Sequence, residues 1–143
     1  MNREIKFRAY IKNENKRVPS EINKIVEVKS LHLGSKKAII GYSKNSSNYG
    51  NYSICFDDIE LMQYTGLHDK NGEEIYEGDI VYCQTKYGKA KAIIKFIDGK
   101  FVTYWNSALT HPENGHRIAC YEINKRFEVI GNIYENPELL GGE

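Results

Sequence analysis

From Ile5 to Ile11 apolar and polar residues alternate with a period of two, which places Ile5, Phe7, Ala9 and Ile11 on one side of an extended backbone and Lys6, Arg8 and Tyr10 on the other. That pattern predicts a half-buried strand. A polar turn over Lys12 to Arg17 follows, and Val18-Pro19-Ser20 leads into Ile22 to Leu33, whose apolar spacing suits a strand better than a helix. Ala38 to Tyr42 and Tyr52 to Phe56 predict two more short strands, separated by a polar loop over Ser43 to Gly50. Asn71-Gly72 signals a tight turn, because both residues tolerate the positive φ of the primed turns that match strand twist. Glu77-Gly78-Asp79 signals a second turn that launches Ile80-Val81-Tyr82-Cys83. The clearest hairpin runs from Ala92 to Ile97, turns at Asp98-Gly99 and returns from Lys100 to Trp105. With a two-residue loop, Phe96 faces Phe101 and Ile94 faces Thr103. Asn106 to Gly115, with Pro112 and Asn114-Gly115, reads as a longer exposed loop before strands at Ile118 to Ile123 and Phe127 to Ile133. At the tail, Asn136-Pro137-Glu138-Leu139-Leu140 fits one helical turn with Asn136 as N-cap and Pro137 at the first helical position.

These elements add up to a mainly β protein. Eleven Tyr and only three Pro agree with it, because aromatic side chains pack well on a pleated, half-buried surface. The expected organisation is a strand-rich N-terminal β unit over residues 1–66, then an SH3-like barrel with a short C-terminal tail over residues 67–143. The barrel expectation rests on about five short strands between Gly78 and Ile133 and on the tight Asp98-Gly99 hairpin.

Three stretches carry a family likeness. They are Arg3-Glu4-Ile5-Lys6-Phe7-Arg8-Ala9, the long segment from Met62 to Val81 that contains Gly66-Leu67-His68-Asp69-Lys70-Asn71-Gly72 and Tyr76-Glu77-Gly78-Asp79, and Gly131-Asn132-Ile133-Tyr134-Glu135-Asn136-Pro137-Glu138-Leu139-Leu140. Together they resemble the YopX family of phage and prophage proteins. The likeness is weak over Lys12 to Asp58 and Lys86 to Arg126. Tyr10-Ile11 stands where a Trp-Asp pair is expected, so no role resting on an acid there carries over. The resemblance implies an SH3-like barrel in the second half and a phage accessory role. It names relatives without naming an activity.

Charge is unevenly placed. Met1 to Ser47 holds 11 Lys or Arg against 4 Glu, a surplus of 7 positive charges, while Asn48 to Glu143 holds 9 against 15 Asp or Glu, a surplus of 6 negative ones. This layout suggests a basic face for an anionic partner, or complementary surfaces that meet between subunits. A homo-oligomer is expected on that ground and because exposed strand edges need covering. The chain has no run of about 18 apolar residues and opens on Met-Asn-Arg-Glu, so neither a membrane-spanning helix nor a signal peptide is expected, and the expected location is the host cytoplasm. Cys55, Cys83 and Cys120 are odd in number, widely spaced and set in apolar runs, which fits small buried thiols better than a disulfide framework.

Candidate chemistry is sparse. His111, His116 and Cys120 make the nearest approach to a metal site, but three candidate ligands without short-spaced cysteine pairs fall short of one. Asp57, Asp58, Glu60, Asp69, Glu73, Glu74, Glu77 and Asp79 concentrate acid in a short span, yet Asp69 and Asp79 sit at turn positions where Asp stabilises local backbone. Nucleophile-elbow, phosphate-loop and dinucleotide patterns are missing. The expected function is therefore a non-enzymatic phage accessory protein without cofactor or metal, which occupies or sequesters a host protein or a small anionic ligand such as a nucleotide. Ligand-binding candidates are Arg3, Lys6, Arg8, Tyr10 and Arg17 on the basic N-terminal strands, Trp105 at the end of the hairpin, and the loop histidines His111 and His116. Nucleic acid bound along the N-terminal strands is the second reading, set back by a net charge of only +1. A metal-assisted hydrolase using His111, His116 and the acidic span is the outside alternative.

Overall fold

The computed structural model describes residues 4–12, 25–45, 48–85, 88–105, 117–119 and 124–141. Among them the chain is mainly β, arranged in antiparallel sheets with one short helix. It divides into two compact units, one formed by Ile5–Gln63 and the other by Tyr64–Glu143 together with Met1–Glu4.

The Ile5–Gln63 unit contains β1 (Phe7–Ile11), β2 (Ile25–His32), β3 (Lys37–Asn45), β4 (Asn48–Cys55) and the first half of β5 (Ile59–His68), in the sheet order β4-β3-β2-β1-β5. The alternation read in β1 holds: Ala9 and Ile11 are buried, while Arg8 and Tyr10 lie half-buried on the other side. Ile5 does not join that face and is 69% exposed, because pairing with β5 starts only at Phe7 opposite Gln63. Ala9, Ile11, Val26, Ala38, Ile40, Ile54 and Ile59 form the core, with Val28, Leu31, Tyr52, Phe56 and Leu61 packed around them. In the polar segment Ser43 to Gly50 the described residues are strand, not loop. Tyr42 pairs with Gly50, Ser43 with Tyr49 and Asn45 with Asn48, so the β3–β4 ladder continues through the described residues. Backbone hydrogen bonds extend a hairpin whatever its side chains are, and hydropathy is blind to that.

The second unit contains the rest of β5, then β6 (Glu74–Tyr76), β7 (Asp79–Thr85), β8 (Gly88–Ile97), β9 (Lys100–Trp105), β10 (Arg117–Ala119), β11 (Phe127–Asn132) and α1 (Glu138–Gly141). Its five-stranded sheet has the order β10-β9-β8-β7-β11, and the pairings among described residues do not close it. The β8–β9 hairpin forms in the expected register, Phe96 opposite Phe101 and Ile94 opposite Thr103. Asp98 at φ 53° and Gly99 at φ 79° make the two-residue turn. The Phe96 and Phe101 rings stand 5.0 Å apart, edge to face. Ile75, Val81, Cys83, Ala92, Ile94 and Phe127 form the core, with Leu67, Phe101 and Val129 around it. Full burial of a side chain such as Phe127 stabilises by about 2 to 3 kcal/mol relative to leaving it in water.

Cys55 and Cys83 are free thiols; Cys83 is buried, as the apolar runs imply, whereas Cys55 is only half-buried; Cys120 lies outside the described residues. Burial pushes the Cys83 thiol above its ordinary pKa, an effect the charge of Arg126 only partly offsets. It stays protonated at neutral pH and packs as a small hydrophobe.

Buried polar groups fix the turns of this unit. Asp69 is 5% exposed; its Oδ1 accepts the N–H groups of Asn71 at 2.8 Å and Glu73 at 2.9 Å, and its Oδ2 accepts the N–H of Val129 at 2.9 Å. One carboxylate therefore closes its own turn and ties it to β11, beside the register shift between Val129 and Gly131. Gly72 takes a positive φ of 82° but Asn71 does not, so the turn is not the primed type that Asn-Gly suggests. The Asp69 carboxylate, drawing in the Asn71 N–H, imposes a different geometry. Asp79 acts likewise, accepting the Tyr76 N–H at 2.8 Å around Gly78. In the tail, Asn132 Oδ1 accepts the N–H groups of Tyr134 and Glu135. Asn136 turns its side chain backwards, so that Oδ1 accepts the Asn132 N–H at 3.2 Å instead of capping the helix ahead. The helix start is closed by backbone bonds, from Leu139 N–H to the Asn136 carbonyl and from Leu140 N–H to that of Pro137. Among the described residues no helix is long and apolar enough to cross a membrane.

Candidate functional site

β8 reads Gly-Lys-Ala-Lys-Ala-Ile-Ile-Lys-Phe-Ile, and the period of two sorts its side chains into opposite faces. Ala92 and Ile94 point into the core and are fully buried. Lys89, Lys91, Ile93 and Lys95 therefore share the other face. A one-residue slip would drive three ammonium groups into the core, so the register that buries Ala92 and Ile94 also sets the lysine row. Residues directly opposite in neighbouring strands share a face, which adds Tyr82 of β7, opposite Lys91, and Tyr104 of β9, opposite Ile93.

Lysines and rings are in contact on this face. Lys95 Nζ lies 4.3 Å from the centroid of the Tyr104 ring. Lys89 Nζ and Lys91 Nζ lie 5.6 Å and 5.9 Å from that of Tyr82. All three fall within the range of cation–π attraction. Lys91 also donates to the Leu139 carbonyl at 2.8 Å, a neutral acceptor that leaves its charge intact. On the far side of Tyr82, Glu128 is directly opposite in β11 and pairs with Lys70 at 3.4 Å. The result is a row of ammonium groups about 20 Å long, six residue steps from Lys89 to Lys95, flanked by Tyr82 opposite Lys91 and Tyr104 opposite Ile93.

The expected site on the N-terminal strands has another electrostatic setting. Lys6 precedes β1, and Arg8 and Tyr10 lie within it. Arg8 stands opposite Glu27, and Tyr10 opposite Glu60. Lys12 pairs with Glu60 at 3.0 Å and Lys29 with Glu27 at 3.3 Å. Lys12 and Lys29 thus meet carboxylates within the unit. Trp105 ends β9 with its backbone opposite Ala92, while Arg3, Arg17, His111 and His116 lie outside the described residues. The acidic span is put to structural use: Asp69 and Asp79 hold backbone N–H groups, Glu74 accepts the Tyr76 hydroxyl at 2.9 Å, and Glu60 holds Lys12. Among the described residues no three His, Cys, Asp or Glu side chains gather in a way that could hold a metal ion.

Tyr82, Lys89, Lys91, Lys95 and Tyr104 were not among the residues singled out from the sequence. The signal was the alternation Lys89-x-Lys91-x-Ile93-x-Lys95 opposite an apolar face, set in the half of the chain whose net charge is negative.

These features define a two-unit antiparallel β protein whose second unit carries a lysine–tyrosine sheet face. The family described as YopX protein matches residues 6–141, nearly the whole chain, and the chain belongs to that family. It is similar in structure to protein EF1440 from Enterococcus faecalis, known from a crystal structure, with 28% sequence identity and a TM-score of 0.58 over 97% of this chain and 99% of that one. No curated protein matches.

Proposed function

We propose that this protein is a phage or prophage accessory binding protein that occupies an anionic component of its host without transforming it, and that the contact is made by the lysine–tyrosine face of β7, β8 and β9. The observation that carries this reading is the row Lys89, Lys91 and Lys95, whose ammonium groups face tyrosine rings. In the N-terminal unit Lys12 and Lys29 face carboxylates instead. An ion pair must be broken before its cation can serve a phosphate, whereas an ammonium over a ring keeps its charge available. The use of Asp69 and Asp79 on backbone N–H groups favours binding over acid–base chemistry. The sheet order β10-β9-β8-β7-β11, with a 3-10 turn at Asn124–Arg126 just before the last strand, supports reading this unit as an SH3-like barrel.

Charge reversal separates the two surfaces. With inorganic polyphosphate as probe at about 50 mM salt, low enough for phosphate contacts to register, calorimetry should show binding by the unaltered chain. Lys89→Glu with Lys95→Glu should abolish it, and Lys6→Glu with Lys12→Glu should leave it within about threefold, since exposed rim charges act weakly. The opposite ranking of the two double variants rules the proposal out.

A further inference from the structure

We infer that the anionic partner is single-stranded nucleic acid, an inference that rests on the function just proposed and narrows it. The charges lie in a line. Lys89, Lys91 and Lys95 follow one strand face at spacings of two and four residues, whereas a small anion is best held by cations converging on a point. A row about 20 Å long suits a linear polyanion that tracks along the sheet.

The rings choose among polyanions. Tyr82 and Tyr104 sit on adjacent strands either side of β8, on the same face as the lysines, and each carries a lysine ammonium against its ring. A polyphosphate gains nothing from a tyrosine, and a duplex keeps its base faces stacked inside. A single strand offers both groups at once: the phosphate draws the ammonium off the ring, and the base then takes the ring face. This exchange is favourable because base–aromatic stacking is the stronger contact and the lysine gains a charge-assisted hydrogen bond as it moves. The lysine–ring pairs therefore act as preformed phosphate-and-base sockets on a rigid sheet. Glu128, opposite Tyr82 in β11 and paired with Lys70, marks the acidic border of the track on that side. Stacking and phosphate contacts are blind to base identity, so binding should be tolerant of sequence.

The test uses the full chain and fluorescence anisotropy with labelled oligo-dT, oligo-U, a mixed-sequence duplex of the same length, and polyphosphate as competitor. Single strands should bind at least about tenfold more tightly than the duplex or polyphosphate, as stacking onto two rings implies. The DNA and RNA arms show which sugar is preferred. Log affinity should fall with log salt at a slope of about −2, from three lysines at about 0.7 each, and Lys89→Gln should make the slope shallower by about 0.7. Tyr82→Leu with Tyr104→Leu should cost the single strand about tenfold or more while leaving polyphosphate binding unchanged, and Tyr82→Phe with Tyr104→Phe should retain single-strand binding. Polyphosphate or duplex bound as tightly as single strands, or a leucine variant that binds oligo-dT like the parent, overturns the nucleic-acid inference and leaves the anion-binding face standing. Loss of every polyanion interaction overturns both. Should the leucine variant fail to fold, the phenylalanine variant and the salt slope decide: a slope near zero, or loss of binding with phenylalanine, is contrary.

Discussion

Asp69→Ala should destabilise the unit formed by Tyr64–Glu143 by about 3 kcal/mol, close to the whole margin of a weakly stable domain. The carboxylate accepts three backbone N–H groups, those of Asn71, Glu73 and Val129. A buried donor left without an acceptor costs about 1 to 3 kcal/mol. Asn71 and Glu73 are exposed residues whose N–H groups water can partly serve after the change, so the loss concentrates at Val129, in the half-buried run of β11. Asp69→Asn should cost roughly half as much, because the amide keeps one acceptor but sets its NH2 against a backbone donor. Urea unfolding monitored by far-ultraviolet circular dichroism measures both. A loss under about 1 kcal/mol for Asp69→Ala, no more than a typical single hydrogen bond, refutes this role.

Gly131→Ala should cost about 1 to 3 kcal/mol, the range for overpacking a site that cannot yield. A Cβ at that position would lie 2.5 Å from Asn136 Oδ1, 2.8 Å from its Cγ and 3.0 Å from Leu139 Cδ1. Asn136 cannot swing aside freely, since its Oδ1 holds the Asn132 N–H. Displacing it would also disturb α1, whose Leu139 carbonyl accepts the Lys91 ammonium. The cause can be isolated with a second change: in an Asn136→Gly background the alanine should cost clearly less, with only the flexible end of Leu139 left to yield, a coupling of about 1 kcal/mol or more between neighbours. Equal losses in both backgrounds mean that Asn136 is not the obstacle.

The two variants also bear on the three stretches that suggest the family likeness yet hold no visible chemistry. His68-Asp69-Lys70-Asn71-Gly72-Glu73, Tyr76-Glu77-Gly78-Asp79 and Gly131-Asn132 through Asn136 each pair a buried Asp or Asn acceptor with a backbone N–H, close to a tight glycine. The motif encodes turns. Its residues fix where the strands begin and end.

Legibility followed how local the cause was. The β8–β9 register could be read because a two-residue Asp98-Gly99 turn leaves a single way to pair the flanking strands. The β1 faces could be read because alternation is a property of the strand alone. Residues 43–45 and 48–50 read as loop because the pairing of one stretch with the other, not their hydropathy, makes them strands. The Asp69 bond to Val129 joins residues 60 apart and leaves no trace in either neighbourhood. The lysine face was missed for a related reason. Summed charge pointed to the first 47 residues, where 11 cations stand against 4 acids, but the fold sets two of those cations, Lys12 and Lys29, against carboxylates. Which cations face rings depends on cross-strand neighbours, and those need the register of three strands at once.

The most direct measurement of the central claim, that the ligand face is the lysine–tyrosine side of β7–β9, is amide chemical-shift mapping of the full chain titrated with oligo-dT and, separately, with polyphosphate. The account predicts that shifts cluster at Tyr82, at Lys89 to Lys95 and at Tyr104, with additional ring-current shifts near the tyrosines for the oligonucleotide alone. Shifts that centre on Lys6 to Lys12 while β8 stays unchanged contradict it.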